Sequence, residues 1–143
     1  ERKKLMYKTE NNRLRNVLSR DVPEIGARAC RRVVDRLLDK NDLSQSEVKH
    51  WAVHPGGTSV LEEIEKKLSL KDGELSYSHK VFENYGNMSS ATVVFVLKEI
   101  LENEPLRPGE RLVMTSFGAG FSAHACLLEV PGGGTPGSSP FSN

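Results

Sequence analysis

Three short segments of the 143-residue sequence join reactive side chains to glycine turns. The first is His54-Pro55-Gly56-Gly57. A histidine held by a following proline can carry a proton, donate a hydrogen bond or partner a thiolate near neutral pH. The glycines let a ligand approach the backbone closely, and a helix starting after them offers free N–H groups. A histidine that merely ends a strand beside a turn fits the same tetrapeptide. The second segment is Tyr85-Gly86-Asn87-Met88-Ser89-Ser90-Ala91. An asparagine between a glycine turn and a helix start can aim its amide N–H at a ligand oxygen. Its carboxamide does not ionise, so it stabilises an oxyanion without competing for a proton. A plain Gly–Asn turn with serine caps is the simpler reading of these residues alone. The third is Ser116-Phe117-Gly118-Ala119-Gly120-Phe121, which alone reads as a tight hairpin.

The elements that must position these segments follow from periodicity. Leu5–Lys8 and Arg13–Leu18 read as short strands around the turn Glu10-Asn11-Asn12. Asp21 caps a helix with Pro23 in its first turn. Ile25, Ala29, Val33 and Leu37, flanked by Cys30, Val34 and Leu38, give that helix an apolar stripe ending at Asn41. Ser44 and Glu47 have capping-box spacing. Lys49–Val53 is a strand running into His54. Val60, Leu61, Ile64 and Leu68 mark a helix stopped near Gly73, and Ser78 caps another that Gly86 closes. Ala91–Leu101 reads as a helix buried nearly all round, because the run exceeds strand length despite its valines. Arg111–Phe117 and Ser122–Val130 are the final strands. The order reduces to βαβααββ, an α/β layered pattern. Residues 1–130 form the domain. From Pro131 to Asn143 the Gly/Pro/Ser composition predicts a disordered tail.

A net charge of +1 gives no broad field toward nucleic acid or a membrane surface. No apolar run approaches a membrane span and no signal peptide opens the chain, so a cytoplasmic location is expected. Cys30 and Cys126 are too few for a disulfide framework and lack metal-ligand spacing, so no metal is expected. Free thiols suit a reducing compartment.

Taken in order, His-Pro-Gly-Gly, Gly-Asn-Met-Ser-Ser-Ala and Phe-Gly-x-Gly, with Asn87 lying 33 positions after His54, carry more than any one segment. This set resembles the C-terminal half of the chalcone-synthase-like type III polyketide synthases. Leu18-Ser19-Arg20-Asp21-Val22-Pro23 is similar to the family's entry into this half, and the resemblance runs from about Arg13 to Val130. Ala119 stands where many plant members have proline.

The resemblance implies the C-terminal half of a thiolase-like αβαβα layered fold in a homodimeric acyltransferase. No cofactor is implied, since acyl-CoA and malonyl-CoA are substrates. His54 would pair with a nucleophilic cysteine and lower its pKa. His54 and Asn87 would donate to the malonyl thioester oxygen as decarboxylation develops charge there. Gly56, Gly57 and Ser59 would border the pantetheine arm. Ser89 and the loop Gly118, Ala119 and Gly120 would line the cavity where the chain grows. The family's nucleophile lies in the N-terminal half, and neither Cys30 in mid-helix nor Cys126 in an apolar strand matches it. The chain is therefore expected to be inactive without that half as partner, whether it is one product of a split synthase, a shortened form or part of a longer protein.

Two alternatives stand beside this reading. The ketoacyl synthases that initiate fatty-acid synthesis also use Cys, His and Asn on this fold, but with His-Gln-Ala-Asn and Gly-Asn-Thr-Ser motifs. A non-catalytic scaffold would keep the fold without its chemistry.

Overall fold

The computed structural model describes residues 5–10, 13–18, 21–118 and 122–132. The turn at Asn11-Asn12, the loop residues Ala119 and Gly120, and the tail beyond 132 lie outside the described residues. Strands β1 (Leu5–Glu10) and β2 (Arg13–Leu18) pair antiparallel with Leu5 opposite Leu18 and Glu10 opposite Arg13. A three-stranded sheet follows in the order β3-β4-β5, from Val48–Val53, Arg111–Gly118 and Ser122–Glu129. β3 and β4 are parallel, β4 and β5 antiparallel. Helices α1 (Val22–Lys40), α2 (Thr58–Leu68), α3 (Ser76–Tyr85) and α4 (Ala91–Asn103) complete the chain. The elements expected one by one are those observed, ββαβαααββ; the shorthand βαβααββ left out one strand and one helix.

Alternation along the strands sends successive side chains to opposite faces. Trp51, Val53 and Val113 join Cys30, Val34, Leu38, Leu61, Ile64 and Leu68 in a core between the sheet and α1 and α2. Ala52 and Leu112 point the other way and pack with Val81, Val93, Val96 and Ile100 of α3 and α4. The sheet is thus sandwiched between two helical layers.

Sequence and structure part at several ends. The fully buried stripe of α1 runs through Ala27, Cys30, Val34 and Leu38, while Ala29, Val33 and Leu37 are only half-buried beside it. Asp21 holds the N-cap position, its carbonyl accepting from Ile25 N–H at 3.0 Å, but its carboxylate makes no capping bond. The Ser44–Glu47 capping contact forms, with Ser44 N–H donating to Glu47 Oε2 at 2.9 Å. Helix α2 ends at Leu68 rather than near Gly73, because Ser69 turns left-handed at φ 54° and Leu70 N–H closes back on the Glu65 carbonyl at 2.9 Å. α3 begins two residues before Ser78, so Ser78 is interior and not a cap.

Helix α4 is the largest departure. Thr92, Val93, Val96 and Ile100 are buried, whereas Val94 is 57% and Leu101 50% exposed, with Phe95 also exposed. One side of the helix packs on the sheet; on the other, Phe95 meets the Tyr85 ring with centres 5.6 Å apart, while Val94 and Leu101 are left exposed. The apolar run is therefore buried on one side only.

Candidate active site

β3 and β4 run parallel, so their C-terminal ends lie side by side, the edge where α/β sheets present reactive groups. The ladder continues one residue past β3, with His54 N–H donating to the Thr115 carbonyl at 3.0 Å. The His54 imidazole is buried and meets Phe117 edge-on, ring centres 6.3 Å apart. Burial pushes its pKa below the ordinary 6.5 and favours the neutral ring. The backbone then folds back, Gly56 N–H donating to the His54 carbonyl at 3.1 Å. The Gly57 carbonyl accepts from Val60 and Leu61 N–H at 3.1 and 3.2 Å and so opens α2. No atom lies within 4 Å of the place a Gly57 side chain would occupy, so the space over this turn is open. Ser59 is exposed in the first turn of α2. Gly118, the last residue of β4, follows Phe117 directly, which brings the third motif beside the first.

The Asn87 turn is reached through α3. Gly86 closes that helix at φ 67°, ψ −161°, a backbone region open essentially to glycine alone. Asn87 is exposed, and its Oδ1 accepts from Ser89 N–H at 2.9 Å. Only the amide oxygen can accept from a backbone N–H, so this bond fixes the carboxamide orientation and leaves Nδ2 as the donor available to a ligand. Ser89 is exposed and left-handed at φ 62°. Met88 packs against the cluster that contains Ala52 and Val81, tying the turn to β3 two residues from His54.

Three contributors were not legible as functional in the sequence: Phe117, Ser78 and Thr92. The Ser78 hydroxyl is fully buried and donates to the Val53 carbonyl at 2.8 Å. Thr92, also fully buried, donates to the Ser89 carbonyl at 2.9 Å and accepts from Met88 N–H at 2.8 Å. One signal was present for Ser78: it falls midway between Leu75 and Val81 at three-residue spacing, a polar residue on an apolar stripe.

The cysteines offer no nucleophile. Cys30 is fully buried with Sγ 3.8 Å from Thr115 Oγ1, and burial pushes its thiol up to about 11. Burial also raises the Cys126 thiol. Neither has the exposed, electropositive surroundings of a reactive thiolate. Among the described residues no group of three His, Cys, Asp or Glu could hold a metal, and no helix is long and apolar enough to cross a membrane. A cleft of about 320 Å³ lined by Lys49, His50, Asp72 and Tyr77 sits at the opposite end of β3 from His54.

The profile of "Chalcone and stilbene synthases, C-terminal domain" matches residues 3–131. Bisdemethoxycurcumin synthase of Oryza sativa subsp. japonica is 38% identical over 127 residues, which cover 82% of this chain and 32% of that protein. The crystal structure of PKS-I from the brown alga Ectocarpus siliculosus superposes with a TM-score of 0.79 at 30% identity, covering 90% of this chain and 35% of that one. The 1,3,6,8-tetrahydroxynaphthalene synthase of Streptomyces coelicolor A3(2), a bacterial type III polyketide synthase, shares the fold at a TM-score of 0.82 and 21% identity, covering 92% of this chain and 38% of that one. The chain spans about a third of the length of the curated relatives it matches.

Proposed function

The chain belongs to the chalcone and stilbene synthase family, as the C-terminal domain of a type III polyketide synthase, and from that premise we propose that His54 and Asn87 serve the decarboxylative condensation of malonyl-CoA with an acyl-CoA starter. The observation that carries the reading is the fixed carboxamide of Asn87, whose oxygen is engaged by Ser89 N–H and whose Nδ2 remains to donate. Loss of CO₂ from the malonyl thioester moves an electron pair toward the thioester oxygen. Donors from the His54 ring and from Asn87 Nδ2 stabilise that enolate, and a neutral imidazole suffices because one ring nitrogen always carries a proton. The enolate carbon then attacks an acyl thioester on a cysteine, whose thiolate leaves. The open face over Gly57 suits the pantetheine arm, with Gly56 and Ser59 beside it, and Ser89 and Gly118 border the growing chain.

The cysteine comes, on this reading, from the N-terminal half of the synthase, because burial raises the thiol pKa of both Cys30 and Cys126 and works against a reactive thiolate. The apolar side of α4, with Val94, Phe95 and Leu101, supports a partner layer there, and the isolated chain is inactive. The assembled enzyme is a homodimer. The match to the chalcone and stilbene profile favours this branch over the ketoacyl synthases. The oriented carboxamide favours an active domain over a scaffold.

In the assembled two-half enzyme, His54→Gln or Asn87→Ala is expected to cut malonyl-CoA decarboxylation by roughly 10²- to 10³-fold, the usual loss for one oxyanion donor. Release of CO₂ at the unmutated rate in either variant would defeat the assignment.

A further inference from the structure

We propose that Ser78 and Thr92 are positioning residues, two buried hydroxyls that clamp the backbone beside His54 and beside Asn87 and so set the separation of imidazole and carboxamide. The inference rests on the catalytic reading above. Of the described residues, four polar side chains are buried: His54, Ser78, Thr92 and Thr115. Ser78 Oγ donates to the Val53 carbonyl at 2.8 Å and accepts from the Val53 N–H at 3.3 Å. β3 is an edge strand of its sheet, and Val53 N–H and C=O point away from β4, since the next residue bonds to Thr115. One hydroxyl therefore takes the place of a neighbouring strand at the residue that precedes His54.

The same helix delivers Asn87. From Ser78 to Tyr85 α3 advances about 10 Å at 1.5 Å per residue. Gly86 then turns the chain and Asn87 follows. Beyond it, Thr92 Oγ1 donates to the Ser89 carbonyl at 2.9 Å and accepts from Met88 N–H at 2.8 Å, closing the turn from the α4 side. Apolar contacts such as Val81 against Ala52 hold α3 to the sheet without fixing how far it slides. Hydrogen bonds have a length and a direction, and each hydroxyl here makes one as donor and one as acceptor. A misplacement of about 1 Å costs on the order of a hundredfold in rate.

The test is malonyl-CoA decarboxylation in the assembled enzyme, with kcat and KM expressed per folded protein. Ser78→Ala and Thr92→Val are expected to lower kcat by about 100-fold with KM nearly unchanged. Ser78→Thr and Thr92→Ser, which keep the hydroxyl, should recover most of it. Folded Ala and Val variants turning over at the unmutated kcat would overturn the proposal. So would a loss that the hydroxyl-retaining variants share in full. If Ser78→Ala does not fold, the near-isosteric Thr92→Val and Ser78→Cys carry the comparison. An unmutated assembly that releases no CO₂ defeats the catalytic reading itself. The clamp is then read in the 143-residue chain, where Ser78→Ala must move the NMR resonances of both the His54 ring and the Asn87 carboxamide. Unmoved resonances at either one overturn it.

Discussion

Gly86→Ala isolates one backbone conformation at the site. Gly86 sits at φ 67°, ψ −161°, and no atom lies within 4 Å of where a Cβ would be placed. The substitution therefore meets no packing clash, and its whole effect is the conformation itself. Holding a non-glycine residue there costs about 1–3 kcal/mol. Against this, alanine narrows the unfolded ensemble and returns roughly 0.4–1 kcal/mol. The net destabilisation expected is about 0–2.6 kcal/mol, centred on about 1.3 kcal/mol. At a urea dependence of about 2 kcal/mol per molar, the unfolding midpoint drops by roughly 0.6 M at that centre and by up to about 1.3 M. Gly86→Asn supplies a sharper control. Asparagine relieves strain at left-handed positions, where ψ is near +45°, but not at this ψ. Both variants should therefore lose similar stability. A midpoint raised in Gly86→Ala, or restored by asparagine, would refute the assigned conformation and with it the path by which α3 presents Asn87.

Two further outcomes follow from burial. The Cys30 thiol is raised from 9.0 to about 11, so the folded state favours its protonated form. That contribution is fully present below pH 9 and lost as pH rises toward 11, roughly 2–3 kcal/mol for two units. Urea unfolding at pH 8 and pH 11 should show this loss in the unmutated chain and a smaller one in Cys30→Ala; equal losses would refute it. On α4, Val94→Lys with Leu101→Lys should leave the isolated chain's stability within about 0.5 kcal/mol, as expected at exposed positions. The same pair should abolish co-purification with an N-terminal half, each side chain forfeiting about 1 kcal/mol of burial before the charges are desolvated. Undiminished assembly would show that this side of the helix is not the joint.

How much could be read in advance depended on whether the signal was local. Helix α1, strand β3 and the final hairpin are written in short-range periodicity, and the structure keeps them within a residue or two. The three glycine motifs were visible because turns demand particular residues. The meeting of the first and third was not. That Phe117 meets the His54 ring depends on the parallel register placing Val53 opposite Thr115, a pairing of residues some sixty positions apart. The stop of α2 at Ser69 was missed because a serine took a left-handed position usually given to glycine or asparagine. The burial of α4 was over-read for a different reason. Its sequence is apolar on both sides, while the described residues bury one side only. Ser78 shows the converse, a residue whose type suits a cap and whose place on the Leu75–Val81 stripe suits the core; three-residue periodicity outranked cap propensity.

The electrostatics divide the proposed chemistry in two. A buried imidazole with a depressed pKa is a neutral hydrogen-bond donor before any substrate arrives. Donation to an enolate oxygen needs no charge on the ring, so the donor role proposed for His54 is compatible with the neutral form that burial favours. Activating a cysteine is another matter, because it asks His54 to accept a proton in a site that disfavours the cation. Only an adjacent thiolate can repay that desolvation, since an opposite charge at close range raises a histidine pKa just as burial lowers it. The two ions of a Cys–His pair must therefore form together, and neither the fully buried Cys30, pushed up to about 11, nor the half-buried Cys126, its thiol also raised, suits that role. On the proposed reading the C-terminal domain would supply the oxyanion donors, and the acyl-transfer step would need a thiol other than Cys30 and Cys126.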